Sequence, residues 1–329
     1  MKPAELPVVA ADVHDARRRL RGIAAVTSAL NHHAIDSRAG RRVAVKVEAL
    51  QLTGSFKFRG AYNAVAALSP DVRRRGVIGA SSGNHAQALA LAGQLLEAPV
   101  TVVVPHDAPP GKIEGARSLG AAIVHYDRDR DDRDEITADL AAELGRTIVP
   151  SANSRDIMAG AGTATLEMLT QAPGLKTILV PVGGGGLAAG TAVAAKHIDP
   201  TIKVIGVEPA TAADTAMSLR AGAIAELSTV PGTIADGLRH TAPAPLPWAV
   251  NRVMLDGIVT VTDDQIRRAM ATAFEYLKVV VEPSGAVALA ALTVLDPGTH
   301  PVGVLITGGS VGIGSFHRLT STPEEPTRV

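Results

Sequence analysis

Lys57 stands between Phe56 and Phe58 in the stretch QLTGSFKFRGA (51–61). The chain has only four Phe, three Tyr and one Trp in 329 residues, so half of its phenylalanines bracket one amine. A lysine on a solvated helix face needs no such neighbours. One kept partly dry gains from them, because burial lowers its pKa and leaves a nucleophilic free amine.

Three glycine-bearing segments could serve such an amine. PVGGGGLAAG (181–190) follows an apolar run and opens a helical one. Gly183, Gly184, Gly185 and Gly186 have no side chains to hold an anion off the backbone, so their N–H groups and the positive helix end can converge on a phosphate. A tight turn alone would not need four such residues in a row. The spacing matches neither Gly-x-Gly-x-x-Gly with a following acidic residue nor a Walker loop, which argues against a dinucleotide or nucleoside triphosphate. ASSGNHAQALALA (80–92) is a second strand-to-helix junction. Ser81, Ser82, Asn84 and His85 cluster at its positive helix end and suit a carboxylate, although an ordinary N-cap would share that pattern. LITGGSVGIG (305–314) sets Thr307 at the carboxyl end of a third strand, the edge where open α/β sheets bind ligands. A phosphate-bearing aldehyde that forms an imine with lysine would use all of these features, and pyridoxal 5′-phosphate is that cofactor.

The elements that must position these residues alternate along the chain. Short apolar runs at 100–105, 121–126, 177–182, 203–209, 257–262 and 302–309 are separated by Ala/Leu-rich helical stretches. This pattern predicts an α/β fold with mostly parallel, open sheets flanked by helices. Thr262 is expected to cap the helix that follows it. The mixed-charge run YDRDRDDRDE (126–135) is expected to be a solvated loop and helix start, and the tail after Gly314 to fray. Apolar residues make up 46% of the chain and formal net charge is zero. That composition forms a core and has no overall field for nucleic acid or an anionic membrane. With no cysteine, thiolate nucleophiles and cysteine-held metals are excluded. No apolar run reaches the roughly 18 residues of a spanning helix. The expectation is a soluble, cytoplasmic protein acting on a small molecule.

The sequence resembles the fold-type II pyridoxal-phosphate enzymes (tryptophan synthase β-like), in the branch of serine/threonine dehydratases and serine racemases. KVEALQLTGSFKFRGA resembles the lysine motif of that family, with Glu48, Gln51 and Lys57 in place. SSGNHAQA is similar to its asparagine loop, VGGGGL to its phosphate loop, and VEPSGA (281–286) and TIADGLR (233–239) to its later markers. The resemblance implies two domains, residues 1–76 with 150–329 as the large cofactor domain and 77–149 as a small mobile one, in a homodimer. By the same resemblance Lys57 would carry the cofactor and move the α-proton. Phe56 would pack on the ring, and Asn84 would bond its 3′-oxygen. Gly183–Gly186 and the Leu187 N–H would hold the phosphate, and Thr307 would meet the ring nitrogen. Ser81, Ser82, Asn84 and His85 would bind the substrate carboxylate. A hydroxyl at the ring nitrogen, unlike an Asp, does not keep it protonated, so the ring is a weaker electron sink and prompt β-elimination is favoured.

The activity so implied is that of an ammonia-lyase converting L-threonine and/or L-serine to a 2-oxo acid and ammonia. Ser82 matches the residue that serves as second acid/base in the racemases, so a serine or threo-3-hydroxyaspartate racemase/dehydratase is the alternative, and a catalytically silent cofactor-binding regulator is the non-enzyme one. In GVEPATAADTA (206–216), Glu208, the Ala212 carbonyl and Asp214 can converge at a helix start as hard oxygen ligands. Racemase-like members bind a divalent cation at the matching trio, which implies Mg2+, or Ca2+ or Mn2+ in its place. The chain departs from the family at Gly160-Ala161-Gly162-Thr163, where the second residue is usually Gln, in the loop PSANSRD (150–156), at Thr27-Ser28-Ala29-Leu30, and at Ser310, usually Asn.

Overall fold

The structure, a computed structural model, describes residues 6–81, 83–108, 110–128, 130–295 and 300–321. Its strands are β1 (Ala29–Leu30), β2 (Val43–Val47), β3 (Val77–Ala80), β4 (Val100–Pro105), β5 (Ala122–Tyr126), β6 (Thr147–Ile148), β7 (Thr177–Pro181), β8 (Lys203–Pro209), β9 (Gly257–Val261) and β10 (Val302–Ile306). Among the described residues they form a six-stranded sheet, ordered β1-β2-β10-β7-β8-β9, and a four-stranded sheet, ordered β5-β4-β3-β6. Every pairing is parallel except the short β1–β2 pair. Strands β2, β4 and β10 are buried at every position, as parallel strands covered on both faces must be. Their continuous Val/Ile/Leu runs follow from that double burial.

Four strands deliver the chemistry. The chain leaves the carboxyl end of β2 toward Lys57, of β3 toward Ser81 and His85, of β7 toward the four glycines, and of β10 directly into Thr307. The segments leave carboxyl ends of strands, as expected, but of two sheets rather than one, since β3 belongs to the four-stranded sheet.

Three helices lock these segments together, and at their closest approach the contact is backbone on backbone. The helix Arg155–Gln171 packs against the helix Lys57–Ala67 on one side and the helix Gly186–Ile198 on the other. A Cβ on Gly160 would lie 2.4 Å from the Arg59 carbonyl oxygen, and one on Gly190 would lie 2.2 Å from the Met158 carbonyl oxygen. The glycines of the altered Gly160-Ala161-Gly162-Thr163 motif are therefore fixed by packing, while Ala161 is simply buried in the core.

Thr262 caps the helix Asp263–Thr272 as expected, accepting from the Gln265 N–H. The run 126–135 likewise ends in a helix start, with Asp132 accepting from the N–H groups of Asp134 and Glu135. The tail differs from expectation. Residues Ile313–Thr320 form a helix whose Phe316 and Leu319 pack on the main core cluster, because these two apolar residues, three apart, share one helix face.

Gly190→Ala should lower stability by at least about 1–3 kcal/mol, the cost of forcing a methyl group into a closed backbone contact. A urea unfolding midpoint equal to that of the parent would show that the helices can part at no cost.

Candidate active site

Lys57 reaches its position through a constrained path. After β2 come two tight turns, Glu48–Leu50 and Leu52–Gly54, with Thr53 at φ 59° and Gly54 at φ 71°. A threonine in the left-handed region costs about 1–3 kcal/mol, and such strain persists only where the surroundings impose it. Here the surroundings are the end of β10. Ser55 bridges Gly308, the Phe56 N–H donates to the Thr307 carbonyl (3.0 Å), and the Gly309 N–H donates to the Gly54 carbonyl (2.9 Å). Lys57 then begins its helix, with Nζ donating to the Ser151 carbonyl at 2.9 Å and lying 5.0 Å from the Phe56 ring centroid. Desolvation lowers its pKa to about 8 against the opposing pull of Glu282. The two phenylalanines divide their work. Phe56 lines the amine, whereas Phe58 is turned away into the core, 5.7 Å from Tyr62 between ring centroids.

Two residues beyond Lys57, Arg59 is 1% exposed and carries a buried ion network. Its guanidinium donates to both Glu48 oxygens (2.7 and 2.8 Å) and to both Glu167 oxygens (2.8 Å each). Lys46, fully buried, donates to Glu167 (2.7 Å) and to the Thr27 carbonyl (2.6 Å), and the Thr27 hydroxyl donates to Glu48 (2.6 Å). Desolvation pushes the Glu48 carboxyl up, but Arg59 outweighs it and the net shift is down, so the group stays ionised. Gln51 ties the same corner to the N-terminal segment, through two bonds with the Ala25 backbone.

The glycine turn closes from the other side. Gly185, at φ 85°, is the N-cap of the helix Gly186–Ile198, whose first turn carries no acidic side chain. The turn has close walls: a Cβ on Gly185 would lie 2.7 Å from Asn251 Nδ2, and one on Gly184 or Gly186 would meet Ala152. Leu187, one residue into the helix, is buried. The loop PSANSRD supplies both the Ser151 acceptor for Lys57 and the Ala152 wall of the turn, so its departure from the family pattern falls inside the site.

The substrate-side residues are partly satisfied. Asn84 Nδ2 donates to Glu282 Oε1, while Asn84 Oδ1 is buried without a partner. The Ser81 hydroxyl accepts from the Gly83 N–H. His85 holds the Val149 carbonyl through Nε2 at 2.9 Å and leaves Nδ1 buried and unpartnered. Desolvation, then the charge of Lys57, lowers the His85 pKa to about 4, so the ring is neutral near pH 7. With its proton on Nε2, Nδ1 is an acceptor. A carboxylate at this helix start would meet the His85 backbone N–H rather than the imidazole. Thr307 is 5% exposed and its hydroxyl makes only a long bond, 3.4 Å, to the Ser284 carbonyl. Ser82 lies outside the described residues.

An amine with a pKa near 8, a side-chain-free helix start, an underused hydroxyl and an orphan amide oxygen fit a phosphate-bearing aldehyde with a polar ring. Unsatisfied buried atoms are uncommon in folded chains and call for a partner.

The cation trio is a separate corner. Glu208, at the end of β8, caps the helix Asp214–Ala221 by accepting from the N–H groups of Thr215 and Ala216, both at 2.9 Å. Both Asp214 oxygens are buried without a partner, and Ala212 is buried beside them in sequence. Desolvation raises both carboxyls to about 7, and the Glu208 charge adds to the rise at Asp214. Among the described residues no group of three His, Cys, Asp or Glu side chains gathers for a metal, and this corner brings two carboxylates only.

Two site residues escape the sequence reading as individuals. Glu282 sits inside VEPSGA, a motif read only as a marker. His240 directly follows TIADGLR and packs on Gly183 and Gly184. A histidine next to a recognised segment was the available signal, but contact with a turn more than fifty residues away is not visible in the chain order.

Comparison with known proteins gives the family. Residues 21–308 match the family model described as pyridoxal-phosphate dependent enzyme. The chain is 40% identical over 310 residues to an L-threo-3-hydroxyaspartate ammonia-lyase of a Pseudomonas species, covering 94% of this chain and 97% of that one. It is 37% identical over 309 residues to the L-threonine ammonia-lyase of Thermotoga maritima, covering 94% and 77% respectively. Maize serine racemase superposes with a TM-score of 0.91 at 36% identity, over 95% of this chain and 96% of that one.

The lowered pKa of Lys57 predicts that its reaction with a small aldehyde, followed by reduction and peptide mapping, rises with pH through a midpoint near 8. The unfolded lysine titrates near 10.5, so between about 8 and 10.5 the unfolded state binds more protons and stability from this group rises with pH. A labelling midpoint near 10.5 would refute the dry environment.

Proposed function

Because the chain belongs to the family of pyridoxal-phosphate-dependent enzymes, we propose that it is an ammonia-lyase for a β-hydroxy-α-amino acid. Water is lost across the α- and β-carbons, and hydrolysis of the resulting enamine gives a 2-oxo acid and ammonia. Serine, threonine and 3-hydroxyaspartate make up that substrate class. The observation that carries the reading is the single amine of Lys57, desolvated to a pKa of about 8 and held by the Ser151 carbonyl. The ammonia-lyases among its relatives support it.

Pyridoxal phosphate, when bound, supplies an electron-withdrawing ring that acidifies the substrate α-C–H. The protein supplies the rest. Gly183–Gly186 and the Leu187 N–H would hold the phosphate, Phe56 would cover one face of the ring, and Asn84 would fix its oxygen. The Thr307 hydroxyl would meet the ring nitrogen without a full proton to give, which favours prompt departure of the β-hydroxyl. The backbone N–H groups at the start of the helix Asn84–Leu95, with Ser81, would orient the α-carboxylate. Lys57 would take the α-proton at Nζ, a role that an amine with pKa near 8 performs at neutral pH.

Racemisation at the same carbon is the second reading. The maize serine racemase likeness and the sequence position of Ser82 favour it. The Glu208–Ala212–Asp214 corner would hold a magnesium ion whose charge satisfies the two unpaired Asp214 oxygens.

The purified protein should be yellow, borohydride should fix a pyridoxyl group on Lys57, and 2-oxo acid should form from at least one of the three substrates. Lys57→Ala should cut turnover by at least about 10²–10⁴-fold. Formation of D-amino acid without oxo acid would replace the lyase reading with the racemase one.

For the cation, saturating Mg2+ should raise the melting temperature by a few degrees, on the order expected for about 2–3 kcal/mol of linkage. Asp214→Asn should abolish the rise. Identical melting in Mg2+ and in chelator would remove the metal from this corner.

A further inference from the structure

Four glycines in a row make a loose cradle. Their peptide units can turn over at little cost, and an anion would have to order them as it binds. A contact from outside the run can fix it beforehand. The Gly185 carbonyl accepts twice. One bond, 2.9 Å, comes from the Ala189 N–H inside the helix that Gly185 caps. The other, 3.1 Å, comes from Asn251 Nδ2 on a separate helix. The first bond lies in a terminal turn, where helices fray. The second comes from a side chain with no exposed surface. The peptide is trans and planar, so holding the Gly185 carbonyl along the helix sends the Gly186 N–H the other way, out of the helix start.

The helix that carries Asn251, Pro245–Met254, is fastened at a second point. Its N-cap is Ala244, which has no side-chain acceptor. The Leu246 N–H donates instead to Asn153 Oδ1 at 2.9 Å. Asn153 belongs to the loop whose Ser151 carbonyl accepts from Lys57 Nζ and whose Ala152 walls Gly184 and Gly186. One end of the helix is thus tied to the loop that holds the amine, and its middle to the turn that faces an anion. The Asn251 amide is used on one side only, since Oδ1 is buried without a partner. An unfilled buried acceptor is destabilising, and a leucine of similar size would avoid it. What the amide adds over leucine is the donor to Gly185.

We propose that Asn251 is a positioning residue for the cofactor phosphate: by holding the Gly185 carbonyl it keeps the glycine turn in its anion-binding form before the cofactor arrives. This rests on the reading that the glycine turn takes the phosphate. A turn ordered in advance binds more tightly, because less ordering remains to be done on binding. Asn251 acts through the backbone of the turn, so it governs how firmly the phosphate is held and not which amino acid is accepted.

The test titrates the full chain, freed of cofactor, with pyridoxal 5′-phosphate and with pyridoxal, which lacks the phosphate. Binding is read from quenching of Trp248, the single tryptophan of the chain, one turn before Asn251 on the same helix. The parent should bind the phosphorylated aldehyde at least about 10²-fold more tightly than pyridoxal. Asn251→Leu should lower that preference by about tenfold, the contribution of one hydrogen bond, and leave the affinity for pyridoxal unchanged. Asn251→Ala, which adds no bulk, should give the same loss of preference. Retained pyridoxal binding shows that a variant is folded. A preference unmoved in both variants, or equal loss of affinity for the two aldehydes in both, makes Asn251 a packing residue and overturns the proposal alone. A parent that binds the two aldehydes equally removes the phosphate from the turn, and the proposal falls with that reading.

Discussion

The pairing of Arg59 with Glu48 and Glu167 is the constraint on which the site depends. All three groups sit in the interior, where an isolated charge is costly and a lost partner leaves a penalty of several kcal/mol. Every strong acceptor in the network is therefore filled, by Arg59, Lys46 or the Thr27 hydroxyl. The partners come from the N-terminal segment, β2, the turn after it, the helix that starts at Lys57 and the helix Arg155–Gln171. The network holds these five segments in one arrangement. Because Arg59 is two residues from Lys57, that arrangement also fixes where the reactive amine begins its helix.

Dryness is the second common thread. Lys57, His85 and His240 all have pKa values lowered first by desolvation. The same poverty of water leaves an amine able to act as a base and two imidazoles uncharged. Glu282 tempers the effect at Lys57, and its contact with Asn84 ties the charge balance of the amine to the loop that receives the substrate.

The architecture was legible in the sequence where the signal was local. Doubly covered parallel strands must be continuously apolar, so β4, β7, β8 and β10 stand out as runs, and the edge strands β5 and β9 are apolar enough to be read with them. A helix start without side chains must be glycine, so the phosphate turn stands out as well. What escaped the sequence involves distant pairs or short pieces. The strands β1, β2 and β6 are brief or lie inside segments with other signals. No local signal marks where the helix begins, and only once it begins at Lys57 do residues two apart differ in direction by about 200°, sending Phe58 to Tyr62 while Phe56 stays with the amine. The Arg59–Glu167 pair spans 108 positions. The tail helix was misjudged because its flanks are polar, although Phe316 and Leu319 were enough to hold it.

The backbone contacts at Gly160 and Gly190 act like a fixed caliper. One jaw is the helix that bears Lys57, the other is the helix that begins at the glycine turn, and the helix between them is the bar. Since backbone contact sets the closest approach and the Arg59 network lies behind it, side chains on the rim of the cleft can be exchanged without altering the span from amine to anion cradle. A scaffold gauged in this way can pass from one amino acid substrate to another by changing its rim, and the altered loop around Ser151 is a change of that kind.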